Sequence, residues 1–332
     1  MYVHCNTIFN QLLSFLPKDD FNRFVGQHNA DQGVRKLTTW NQLTALLYAQ
    51  ATGKQSLRDI EIGLNIHSNN WYHLGIKSVA KSTLSDANKK RDHQVFEKLF
   101  YALLNRCREI SGERKFTFNN PLYSFDSTTV QLCLSIFDWA KSTKTKGALK
   151  MHTLLDNRTT IPNFITISDG KKADITALQE ANFILETGSI IVFDRAYIDY
   201  ELWERFNNNK IYFVTRTKKN QNLFITGQHK TTLEKDILAD DMVIYGDYSS
   251  MMKHPKVKLR QIKFYDKETK KIYIFLTNNF ALKANQIAAI YKDRWQIEIF
   301  FKWIKQNLRI KTFLGTSKNA VMTQIWIAMI YY

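Results

Sequence analysis

The chain has 332 residues, 44% of them hydrophobic, with only 12 Gly and 4 Pro; this excludes a disordered chain and allows one large or two ordinary domains with a sizeable core. Lys and Arg number 47 against 30 Asp and Glu, a net charge of +17, which favours a polyanionic partner, nucleic acid foremost, over a small-molecule substrate or a membrane. No run of about twenty apolar residues marks a transmembrane helix, Met1 leads into no signal-peptide pattern, and Cys5, Cys107 and Cys133 are too dispersed for a zinc site or a disulfide frame, so a cytoplasmic chain is expected.

From Met1 to about Asn119 the apolar residues recur at helical spacing. Asp20 to Phe24, then Leu43, Leu46, Leu47 and Ala51, and, after a break at Gly53, Leu57, Ile60 and Leu64 predict successive helices. His93 to Ile110 predicts another. Ser78 to Arg91 combines polar caps, a small-residue face and a basic end, a pattern shared by DNA-facing helices and ordinary solvated ones.

After Asn120-Pro121 the pattern changes. Tyr123 to Leu134, Leu149 to Leu155 and Phe164 to Ser168 read as strands, separated by turn signals at Asp156-Asn157 and Asp169-Gly170. A helix over Ile175 to Leu185 precedes a buried strand, Ile190 to Phe193, and a helix over Tyr200 to Phe206 precedes a strand over Ile211 to Thr215. This order predicts a mixed α/β sheet. Lys218 to Thr269 reads as a separate β-rich piece. The chain returns through a strand at Ile272 to Leu276, a long helix from Ala284 to about Leu308 and a last helix from Lys318 to Tyr332. That helix ends on an apolar run without a polar tail, which predicts a chain cut short at its C-terminus.

Two aspartates end strand candidates, Asp126 in Tyr-Ser-Phe-Asp-Ser-Thr and Asp194 in Ile-Val-Phe-Asp-Arg-Ala-Tyr. A carboxylate held at a strand end faces solvent and suits a hard divalent cation, although such an Asp is more often a turn or helix cap. On the long helix, Tyr291, Arg294, Glu298, Lys302 and Lys305 fall close to one stripe at about 100° per residue, beside a core face carrying Ile297, Phe300, Phe301 and Ile304. An aromatic and several cations on one ridge can line a phosphate backbone, and the lone Glu among them reads as a third metal ligand. The competing reading is a solvated face with ordinary i,i+4 pairs. His4, His67, His73, His93 and His152 show no metal-ligand spacing; for His152, on a core strand, a structural role is expected.

In order and spacing these residues resemble the DDE transposases of the IS4 family. Asp126, Asp194 and Glu298 resemble the DDE triad, and Tyr291-(2)-Arg294-(3)-Glu298-(6)-Lys305 is similar to the YREK signature at every spacing. Phe193 to Tyr197 resembles the motif around the second Asp. Thr39 to Leu47 and Ser56 to Ile60 are similar to the helical N-terminal domain of one IS4 branch. The resemblance implies an α/β fold: an RNase H-like mixed-sheet catalytic core (120–332) interrupted by a β-rich insertion at about 218–270, preceded by an all-α DNA-binding domain (1–119). It implies that Asp126, Asp194 and Glu298 are the catalytic residues and bind two Mg²⁺ (or Mn²⁺) ions, and that Tyr291, Arg294 and Lys305 hold the DNA backbone, with Lys302 alongside.

The activity implied is metal-dependent cleavage and transfer of strands at transposon terminal inverted repeats in cut-and-paste transposition. The partner is double-stranded DNA, transposon ends and target, and the working form is a homodimer on DNA. Relatives that form a DNA hairpin stack a flipped base on an aromatic. Residues 218–269 contain no Trp here, leaving Tyr245, Tyr248, Phe264 and Tyr265 as aromatics of comparable size. Three other readings compete: a transposase-derived DNA-binding protein without catalysis, an unrelated RNase H-like nuclease that cuts without joining, and a small-molecule α/β enzyme. The +17 charge and the lack of a Gly-rich phosphate loop stand against the last.

Overall fold

The computed structural model describes residues 7–107, 116, 118–132, 137–140, 147–181, 184–218, 221–229, 234–246, 252–253, 258–307 and 313–332. The chain divides into two compact units, one of Met1–Ser111, Val130–Leu149 and Lys302–Tyr332, the other of Gly112–Thr129 and Lys150–Phe301.

The first unit is largely helical. Its N-terminal helices are α1 (Ile8–Ser14), α2 (Lys18–Gln27), α3 (Thr39–Thr52), α4 (Leu57–Ile66), α5 (Trp71–Leu74), α6 (Lys81–Lys90) and α7 (Gln94–Cys107). Thr7, Thr38 and Ser56 start α1, α3 and α4 by accepting a backbone N–H three residues on. Gly53 ends α3 in the left-handed region at φ 71°, where a side chain would be strained. The helix Lys318–Tyr331 packs against α3, α6 and α7. Ser317 caps it, and Val321, Ile325, Trp326 and Ala328 are all buried. Its apolarity all round is therefore that of a core helix rather than an exposed face.

Two polar hubs lock this unit. Asn319 donates to the carbonyls of Asn88 and Arg91 and accepts from the His93 backbone N–H at 3.1 Å. Arg91 donates to the carbonyls of Ala30 (3.1 Å) and Leu37 and to Gln42 Oε1 at 3.0 Å. The basic end of the Ser78–Arg91 helix is thus split: Lys89 and Lys90 are exposed on α6, while Arg91 is a buried structural residue.

The second unit is built on a nine-stranded sheet in the order β3-β2-β1-β4-β5-β9-β8-β7-β6. The strands are β1 (Leu122–Leu132), β2 (Gly147–Asp156), β3 (Pro162–Asp169), β4 (Ile190–Val192), β5 (Tyr212–Arg216), β6 (Leu223–Gln228), β7 (Ile237–Tyr245), β8 (Leu259–Asp266) and β9 (Lys271–Thr277). β1, β4 and β5 run parallel, with Ser124 opposite Val192 and Val192 opposite Val214. β9 turns antiparallel against β5, and β8, β7 and β6 follow as antiparallel neighbours. The β-rich 218–269 segment therefore supplies strands that continue the sheet.

The α8 helix (Asp174–Glu180) is shorter than the expected Ile175–Leu185: Ala181 is extended, at ψ 121°, and residues 184–185 are not helical. α9 (Tyr200–Asn208), capped by Asp199, lays Trp203 against Phe213 at 4.7 Å on one face of the sheet. On the other face Ile287, Ala288 and Ile290 of α10 (Ala284–Asp293) pack with Val192, Val214, Ile262 and Phe275. Burying each of the Ile, Val and Phe side chains stabilises by about 1.5–3 kcal/mol. Arg260 on β8 forms a buried two-pronged ion pair with Asp240 on β7, both contacts 2.7 Å, and donates to the carbonyls of Asn279 and Leu282 ahead of α10.

The long helix expected from Ala284 to Leu308 is instead two helices, α10 and α11 (Trp295–Asn307), joined at Arg294. The cause is visible in its hydrogen bonds. Asn157 Nδ2 donates to the Asp293 carbonyl at 3.1 Å and to Asp293 Oδ2 at 2.9 Å. The Ile297 N–H turns to the Arg294 carbonyl, three residues back, at 3.1 Å, and the Arg294 N–H likewise to Tyr291. The ladder tightens there into one turn of i→i−3 bonds. The Lys318–Tyr331 helix is α12. Among the described residues no helix is long and apolar enough to cross a membrane.

Candidate functional site

Parallel strands in register bring the two aspartates together. Asp126 lies two residues beyond Ser124, and Asp194 two beyond its partner Val192. Even spacing keeps both on one face of the sheet, the α10 face, and adjacent strands stand about 4.8 Å apart. Asp194 caps the short turn Arg195–Tyr197, with Oδ1 accepting the Ala196 N–H at 2.6 Å. It is therefore also the turn cap that a strand-ending Asp usually is. Asp126 Oδ1 accepts its neighbour Ser127's N–H at 2.8 Å.

The helix break brings the third carboxylate in. Arg294, at the joint, donates to Asp126 Oδ2 at 3.1 Å and to Glu298 Oε1, in the first turn of α11, at 2.5 Å. Burial pushes the Asp126 carboxyl up to about 6; the Ser127 N–H and Arg294 oppose that, while Asp194 and Glu298 add to it. Burial works against the Arg294 charge, but Tyr291, Glu298 and Asp126 together raise its pKa.

Tyr291, half-buried at the end of α10, packs on Phe275 at 5.0 Å. Arg294 lies 5.8 Å from its ring centre and Arg216 lies 6.0 Å from it. Burial raises the Tyr291 hydroxyl's pKa, and the two guanidiniums oppose this. The predicted residues Asp126, Asp194, Tyr291, Arg294 and Glu298 are thus gathered in one unit. Tyr291, Arg294 and Glu298 remain neighbours across the joint, Arg294 lying against the Tyr291 ring and bonding Glu298 four residues on. Lys302 and Lys305 follow on α11, both exposed, and belong to the other compact unit.

Sequence reasoning missed Asp174 and its partners beside Asp126, while His152 and the aromatics were named. Asp174 Oδ1, at the start of α8, accepts from Ser127 Oγ at 2.7 Å and Lys150 Nζ at 3.0 Å, tying that helix to the residue beside Asp126. His152 is fully buried, hydrogen-bonded through Nε2 to Ser168 Oγ at 2.8 Å, with its pKa lowered to about 4 by burial. Among the hairpin aromatics, Tyr245 is buried against Tyr200 at 4.1 Å and presents no free face to a base. Phe264 and Tyr265 lie half-buried on β8, and Tyr248 falls outside the described residues.

The donor set suits a hard cation: three carboxylates and no sulfur or imidazole, with Asp126 disfavoured as an anion unless a positive charge lies beside it. Among the described residues no three acidic, His or Cys side chains converge on one point. As the side chains stand, the positive charge between Asp126 and Glu298 is that of Arg294.

Residues 118–332 match the family described as Transposase DDE domain, and residues 4–77 match one described as a domain of unknown function, DUF4372. A Sinorhizobium fredii protein described as a transposase is 33% identical over 260 residues, covering 77% of this chain and 70% of that one. A Geobacillus stearothermophilus protein described as a transposase for insertion sequence element IS5377 is 27% identical over 262 residues, 78% of this chain and 67% of that one. A Synechocystis protein described as a transposase for element IS4SA is 27% identical over 269 residues, 77% and 71% of the two chains. In fold, the chain is similar to a piggyBac transposase from a cryo-EM synaptic complex with hairpin DNA. The TM-score is 0.51 at 12% identity, over 99% of this chain and 76% of that one. The mixed sheet is thus that of an RNase H-like DDE fold, and the chain belongs to the DDE transposase family, with the IS4-type signature in place.

Proposed function

We propose that this transposase binds the terminal inverted repeats of its element and cuts and rejoins their strands by divalent-metal chemistry at Asp126, Asp194 and Glu298. The observation that carries this reading is the strand register, which puts Asp126 and Asp194 each two residues past paired positions on adjacent parallel strands, together with Arg294, which bonds both Asp126 and Glu298.

The three carboxylates would hold two Mg²⁺ or Mn²⁺ ions, Asp126 being the one flanked by both other acids. Bound there, the ions would activate a water or a 3′-hydroxyl for in-line attack on a phosphodiester and stabilise the leaving oxygen. The chain's own residues do the rest. The β1–β4 register fixes the two aspartates relative to each other, and the turn at Arg294 sets Glu298 toward them. Arg294 would offer its planar fork to a DNA phosphate. The Tyr291 ring lies beside that guanidinium, and Lys302 and Lys305 are further exposed cations available to phosphates.

Residues 1–119 serve as the DNA-binding region, with the exposed face of α6 (Lys81, Lys89, Lys90) available to phosphates. Residues 120–332 form the catalytic domain, with 218–270 as its β-rich insertion. Two ends must be held together for transposition, so the working form is a homodimer on DNA.

Incubating the full chain with labelled terminal-repeat DNA tests this. Binding should favour the repeat over a scrambled duplex, and nicking should require Mg²⁺ or Mn²⁺ and disappear in Asp126→Asn and Asp194→Asn while both variants still bind. Nicking by either variant at the wild-type rate would refute the assignment.

A further inference from the structure

Arg216, the last residue of β5, is absent from the motifs that marked the site. The strand register places it there nonetheless. Ser124, Val192 and Val214 stand opposite one another on β1, β4 and β5, and Asp126, Asp194 and Arg216 each lie two residues further on. The three side chains therefore share one face, with Arg216 one strand, about 4.8 Å, beyond Asp194 at the backbone level. The site's edge on this side is cationic.

Its contacts are unusual for a half-buried cation. The guanidinium carbon sits 4.6 Å from the Tyr273 ring centre and 6.0 Å from that of Tyr291. Among the described residues no carboxylate lies in ion-pair range of it. Arg294 approaches the same Tyr291 ring at 5.8 Å but is tied to two carboxylates. Tyr273, Phe275 and Tyr291 form a continuous aromatic stack under the pair, with spacings of 6.3 and 5.0 Å. Stacking on rings fixes the plane of a guanidinium and leaves its edge donors unused, and a fixed fork without an acid suits a phosphate's two oxygens.

We propose that Arg216 is a further DNA-holding residue, gripping a backbone phosphate next to the reacting one, with Tyr291 as the ring shared between it and Arg294. This rests on the reading of the site as a DNA strand-transfer centre. Arg294 is bonded to Asp126 and Glu298, while the register puts Arg216 on the strand next to Asp194. A DNA strand at the site would then meet two guanidiniums that share the Tyr291 ring.

The test compares wild type, Arg216→Ala, Arg216→Gln and Arg216→Lys on labelled terminal-repeat DNA, with circular dichroism confirming the fold. Loss of one phosphate contact should lower the slope of log affinity against log salt by about one in the Ala and Gln variants and weaken binding about tenfold. Arg216→Lys should restore the slope but not the full nicking rate, since an ammonium neither stacks nor forks. Folded Ala and Gln variants with wild-type slope and nicking would overturn the proposal, as would full rescue of the nicking rate by Lys. A variant that does not fold is set aside, and the slope and rate of the remaining folded ones decide. If wild type binds but never nicks, the strand-transfer reading fails, while the slope comparison still decides whether Arg216 meets a phosphate. If wild type binds no DNA, both fall.

Discussion

Asp126 and His152 show how burial at the sheet sets charge in opposite senses. Asp126 is pushed up to about 6 because burial and two nearby acids disfavour its anion. His152, with its pKa lowered to about 4, is held neutral in the fold. An unfolded His152 takes up its proton near pH 6.5, the folded one only near 4, so between these values the unfolded chain binds more protons. Its contribution to stability is complete above about pH 6.5 and is lost as the pH falls toward 4. At pH 5 the loss should reach about 2 kcal/mol. Urea titrations at pH 7 and pH 5 should therefore show wild type losing about that much more than His152→Gln; equal pH dependence in the two proteins would refute the buried neutral imidazole.

At the scale of elements, much was legible because local rules were obeyed. Leu43, Leu46 and Leu47 with Gly53 mark α3 and its end, and the apolar Ile190–Phe193 run marks β4 and the aspartate after it. The spacing from Tyr291 to Lys305 identified the signature, but it could not show the joint at Arg294. That joint depends on Asn157, 136 residues away in sequence, whose side chain takes the Asp293 carbonyl out of the helical ladder. Arg91 was misread for a similar reason: a basic residue ending a polar helix looks solvated, and only the carbonyls of Ala30 and Leu37 reveal it as a core staple. Arg216 gave no signal beyond a cation at a strand end, since its place depends on the order of strands in the sheet. The joint has a direct consequence. Asn157→Ala should destabilise the chain by about 1–3 kcal/mol by leaving buried Asp293 without that donor. It should also slow nicking at saturating DNA, because Arg294 and Glu298 are aimed by the turn; unchanged melting and nicking together would contradict that role.

For the molecule as a whole, the +17 charge and the family point to DNA as the partner, and Asp126, Asp194, Glu298, Tyr291 and both arginines belong to one compact unit while Lys302 and Lys305 belong to the other. Electrostatic attraction alone would account for binding; strand joining, as proposed, would also need the carboxylates. The most direct measurement is therefore joining of a labelled, pre-cut terminal-repeat end to a target duplex in Mg²⁺ by wild type and Glu298→Gln. The account predicts that the two proteins bind the end within a few-fold of each other, that wild type yields joined product, and that Glu298→Gln yields none. Joined product from Glu298→Gln at the wild-type rate would contradict the three-carboxylate centre.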